Sequence, residues 1–78
     1  MHKTLDRDST CMLIKAKCDE KGITVEFISR EMNISKQTVY GWFSGKKMPS
    51  IDHFIELADI LKLSVDELIV TKTYIAGG

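Results

Sequence analysis

The feature that most constrains this chain is a pair of short helical periods separated by only three residues. Val25, Ile28, Ser29 and Met32 recur at i, i+3, i+4 and i+7, a spacing that puts them in one stripe along an α-helix. Val39 and Trp42 repeat the pattern three apart, with Ile34 packing from between. After glycine, asparagine is the residue that best tolerates positive φ. A tight turn through Asn33, Ile34 and Ser35 is therefore predicted. Thr24 can cap the earlier helix, and Ser35 the later one, about Lys36 to Ser44, which Gly45 ends. Two helices joined so closely need a small side chain where they cross, which accounts for Ser29 in an otherwise apolar stripe.

Helix signals continue on both sides. A first helix is expected to start near Asp8 to Thr10, with Cys11, Ile14 and Cys18 on its buried face and Gly22 as its stop. After the Gly-Lys-Lys-Met-Pro loop, Ser50 caps a fourth helix with Ile51, Phe54, Leu57, Ala58 and Leu61 inward. Ser64 caps a short fifth carrying Val65, Leu68 and Ile69, and Asp66 and Glu67 favour its first turn through the helix dipole. No strand-like alternation persists, so the expected fold is all-α, a compact five-helix domain with its core at about residues 9–70 and a flexible tail at 71–78.

At 78 residues the chain forms one small domain, burying only about 60% of the surface its unfolded form exposes. Cys11 and Cys18 are seven apart, a rise of roughly 10 Å along a helix, out of disulfide reach. They are expected to be small apolar core residues, and His2 and His53 are not spaced to join them around a metal. His53 is expected on a solvated helix face, and Phe27 either under a neighbouring helix or at a protein contact. No nucleophile has a base at recognisable spacing and no glycine-rich phosphate loop exists, so neither an enzyme nor a cofactor is expected. An 18-residue apolar run and an apolar leader are both missing, and a cytoplasmic protein with no membrane partner is the expectation.

Eleven basic and eleven acidic residues balance, which argues against a non-specific nucleic-acid coat. Their distribution is uneven. Residues 32–51 hold Lys36, Lys46 and Lys47 and no acid, whereas residues 52–70 hold five acids against Lys62. The positive zone coincides with the third helix, whose outward positions are Lys36, Gln37, Thr38, Tyr40, Gly41 and Ser44. Two short helices and a tight turn describe a helix-turn-helix. A helix of this kind fits the major groove and reaches base edges with its N-terminal side chains. Gln37 can pair bidentately with adenine, Lys36 can reach guanine or a phosphate, and Tyr40 can bond a phosphate or lie on a thymine methyl. Lys46 and Lys47 suit phosphates flanking the groove, against the plainer reading of a solvated loop.

The fragments KGIT (21–24), ISKQTVYGW (34–42), SGKKMPS (44–50) and LKLSVDEL (61–68) together resemble the Xre family, the lambda-repressor-like and Cro-like helix-turn-helix regulators. The resemblance implies a compact five-helix domain, usually bound to double-stranded operator DNA as a two-fold dimer, and a transcriptional repressor is expected because a stand-alone domain of this kind can only occlude a promoter. It implies base reading by Lys36, Gln37 and Tyr40; backbone contacts are expected from Thr24, Ser35, Thr38, Lys46 and Lys47. Two positions depart from it. Val25 stands where the family often has a phosphate-touching glutamine, and Gly41 where a long polar side chain is frequent. The departures favour the alternative of a protein-interaction adaptor or antitoxin-like partner with little DNA binding. A homodimer is expected through Ile69, Val70, Tyr74 and Ile75, apolar residues that follow the last core position, Leu68.

Overall fold

In a computed structural model describing residues 2–74, four α-helices and a single 3-10 turn enclose the core, and a two-stranded sheet joins the two ends of the described residues. The elements are β1 (His2–Leu5), α1 (Arg7–Lys21), α2 (Val25–Met32), α3 (Lys36–Ser44), α4 (Ile51–Leu61), the 3-10 turn (Val65–Leu68) and β2 (Thr71–Tyr74). α3 packs on both α1 and α2, while α4 packs on α1 and on the 3-10 turn.

Local chemistry sets each helix end. Hydroxyls of Thr24, Ser35 and Ser50 accept from the N–H groups of Phe27, Thr38 and His53, at 3.1, 3.1 and 3.3 Å. Asn33 ends α2 in the left-handed region at φ 55°, so the tight turn forms as its asparagine implies. Across that turn the Ile34 N–H donates to the Ser29 carbonyl at 3.1 Å, and the Ser29 hydroxyl donates to the Ile34 carbonyl. A serine is thus needed there for its hydrogen bond as well as its size.

The core is built from Ile14 and Cys18 of α1, Ile28 and Met32 of α2, Val39 and Trp42 of α3, four residues of α4 (Phe54, Leu57, Ala58, Leu61) and Leu68. Cys11 and Cys18 are buried free thiols, and burial pushes Cys18 up to about 11, which keeps it protonated and unreactive.

Several expectations change. α1 starts earlier than Asp8, because the Asp6 carboxylate accepts from the Ser9 N–H at 3.0 Å and caps it. The fifth helix is a single 3-10 turn, held where the Glu67 carboxylate accepts from the Ser64 N–H at 2.9 Å. Three stripe positions are also less buried than helical spacing implied, with Val25 and Ser29 half-buried and Ile51 exposed. His53 is half-buried with its ring 5.2 Å from that of Trp42, so only part of it faces solvent. Phe27 is half-buried too, under the Arg30 guanidinium at 5.9 Å.

The tail differs most. Thr71–Tyr74 is a strand paired antiparallel with His2–Leu5, His2 opposite Tyr74 and Leu5 opposite Thr71. An isolated two-stranded sheet is marginal in water. This one is anchored by Thr10, a fully buried α1 residue whose hydroxyl donates to the Val70 carbonyl at 3.2 Å and accepts from the Val70 N–H at 3.0 Å. The Asp6 N–H also donates to the Val70 carbonyl, at 2.8 Å. Ile69 packs against the core. Ile69 and Val70 therefore have partners within the chain, contrary to the premise of the expected dimer surface; Ile75 lies outside the described residues.

Thr10→Val keeps the shape and removes both side-chain bonds to Val70. It should lower the unfolding free energy by about 1–3 kcal/mol. In hydrogen exchange the amides of β1 and β2 should lose protection while those of α3 keep theirs.

Candidate nucleic-acid interface

With Val39 and Trp42 fully buried, α3 has no freedom to rotate, and its opposite face is fixed toward solvent. Gln37 and Tyr40 project there, Tyr40 about half exposed. They line an open concavity of about 560 Å³ together with Lys46 and Lys47 from the following loop. The structure thus gathers two of the three predicted base-reading residues with both predicted loop lysines.

Lys36 stands apart. Its ammonium lies 3.9 Å from the Glu26 carboxylate of α2, both side chains being more than half exposed. The acid-free stretch of sequence accordingly receives an acid from the neighbouring helix. Thr24 borders a second hollow beside Val25 and Tyr40. Ser35 and Thr38 face one another, hydroxyl to hydroxyl at 2.9 Å, at the start of α3. Thr24 and Ser35 both act as caps, and the first N–H groups of a helix have no intrahelical carbonyl to bond. Both helix starts can therefore donate to an anion.

Gly41 has a role that linear reading missed. A β-carbon added to it would lie 3.2 Å from Cδ and 3.3 Å from Cγ of Lys47. The Lys47 N–H donates to the Gly41 carbonyl at 3.1 Å. Glycine lets the lysine stem lie against α3 and so positions its ammonium beside the outward face. Lys15, on α1, borders the same concavity. Neither contact has a sequence signal, because each joins residues brought close only by tertiary packing.

The chain matches the model of the helix-turn-helix family over residues 14–68, which is most of its length. It belongs to the Xre-type, lambda-repressor-like helix-turn-helix family. The match spans α1 from Ile14 through the 3-10 turn and leaves the terminal sheet outside. No curated protein matches the chain. As a helix-turn-helix protein of this family it is a DNA-binding regulator in general type, from a regulatory and not an enzymatic family. Among the described residues no helix is long and apolar enough to cross a membrane.

Gly41→Ala tests the close approach. Helix propensity alone would add about 1 kcal/mol of stability. The Lys47 stem must give way, so the measured gain in urea unfolding should fall well short of that. In a Lys47→Ala background the full gain should return. Equal gains in both backgrounds would show that Lys47 does not rest on the glycine.

Proposed function

We propose that this protein reads a short double-stranded DNA site with the outward face of α3 and represses transcription by occupying that site. One arrangement carries the reading: Gln37 and Tyr40 exposed beside Lys46 and Lys47, on the face opposite the buried Val39 and Trp42. Gln37 sits in the first turn of α3, where side chains of a major-groove helix reach base edges, and its amide matches the donor and acceptor of adenine. Tyr40, one turn on, meets a thymine methyl or a phosphate. Lys36 exchanges Glu26 for a guanine edge or a phosphate. Thr24, Ser35 and Thr38, at the starts of α2 and α3, take the sugar-phosphate backbone together with Lys46 and Lys47.

One reading helix covers few base pairs. Two copies about 34 Å apart on one face of a palindromic site would double the contacts. Of the surface expected to join them, Tyr74 remains about half exposed, its ring 5.5 Å from that of His2. Sedimentation should find two chains on a duplex carrying two half-sites and one on a duplex carrying a single half-site.

A second reading, a protein-interaction adaptor, has one observation in its favour. Ile51 and Ile55 lie one turn apart on α4, 62% and 54% exposed. Single exposed apolar residues are ordinary, and two do not form a large patch. The DNA reading accounts for more of the surface.

Gln37→Ala should cost about 1–3 kcal/mol on a selected operator and relax specificity at one base position. Equal binding by variant and wild type would remove Gln37 from the reader. Replacing Lys46 and Lys47 together with alanine should weaken binding to all sequences alike. It should also flatten the dependence of log affinity on log salt by up to about two units. An unchanged slope would return both lysines to the solvent.

A further inference from the structure

We propose that Lys15 of α1 is a phosphate-binding residue of the same DNA interface, held by Asp19 in the free protein and released to DNA. The inference rests on the DNA-binding reading above and extends it to a helix outside the helix-turn-helix pair.

Lys15 borders the concavity that holds Gln37, Tyr40, Lys46 and Lys47, so it closes that surface from the α1 side. It also borders the adjoining hollow with Thr24, Val25 and Tyr40, at the start of α2. A phosphate lying along the α2 and α3 starts would pass within reach of its flexible stem. In the free protein its ammonium is 2.8 Å from the Asp19 carboxylate, one turn further along α1. Both side chains are more than half exposed, 52% and 63%, and an exposed pair of this kind is weak and screened by salt. Asp19 itself borders the second hollow, so a carboxylate stands on the side where DNA phosphates would arrive. The lysine can leave it for a phosphate at little cost, and the carboxylate serves meanwhile as the stand-in for that phosphate.

The plainer reading is an i,i+4 pair that only decorates a solvated helix. α1 supplies an internal control for it. Lys17 pairs with Glu20 at 3.6 Å on the same helix and does not border either hollow. Decoration would make Lys15 and Lys17 equivalent toward DNA, whereas phosphate binding sets them apart.

The test is fluorescence anisotropy with a mixed-sequence duplex of about 20 base pairs, between about 50 and 200 mM salt. Lys15→Gln should lower the salt slope by about 0.9, so that the same rise in salt costs about 3.5-fold less affinity than in the wild type. Lys17→Gln should leave the slope unchanged. Asp19→Asn should raise affinity several-fold at the low-salt end, and that gain should vanish when Lys15 is also glutamine. An equal gain in both backgrounds would mean that Asp19 acts as a general repulsive charge, and would overturn the proposal. So would equal slopes for the Lys15 and Lys17 variants while the Lys46 and Lys47 substitutions still flatten the slope. If the loop substitutions also leave the slope unmoved, the DNA-binding reading fails with it.

Discussion

The rotation of α3 about its own axis is the constraint on which the rest depends. Two side chains, Val39 and Trp42, fix it by complete burial. Truncating a buried tryptophan costs about 3–5 kcal/mol. A domain of this size is stable by only about 4–12 kcal/mol, taking 0.05–0.15 per residue. Trp42 alone therefore carries a large share of what keeps the domain folded. The same burial points Gln37 and Tyr40 outward, so the proposed reading surface and the core are two sides of one short helix.

Around that helix, each support also shapes the outward face. The left-handed Asn33 turns the chain, and the Ser29–Ile34 bonds lock the angle between α2 and α3. Gly41 lets the loop fold back so that Lys47 rests on α3. On the far side the ring of His53 lies against Trp42 and ties α4 to α3. The face itself is mildly positive. Counting Lys15, Lys36, Lys46 and Lys47 against Asp19 and Glu26 leaves four positive charges against two negative, a modest surplus of two. Such a surplus would attract a polyanion without binding every duplex tightly, which suits the proposed reading of a sequence better than a coat protein.

Much of this was legible in the sequence because it is local. Thr24, Ser35 and Ser50 cap helices where their hydroxyls predict, and Gly22, Asn33 and Gly45 end them in the left-handed region. What escaped is non-local. The terminal strands show no alternation of apolar and polar residues, since nearly every position in them is exposed. Their pairing depends on Thr10 reaching Val70, sixty residues away. Asp6 carries no distinct cap signal, because Asp8, Ser9 and Thr10 are equal candidates nearby, and Thr10 is turned inward for its other task. The acid-free stretch was a property of the linear chain, and folding brings Glu26 to Lys36.

The most direct measurement is amide chemical-shift mapping of the ¹⁵N-labelled protein as a duplex containing its selected site is added. The account predicts the largest changes at the start of α3, from Lys36 to Tyr40, and at Lys46 and Lys47. Smaller changes are expected at Thr24 and the start of α2, and none around Ile51 and Ile55 of α4. Changes centred on α4, or none on α3 with the duplex bound, would contradict it.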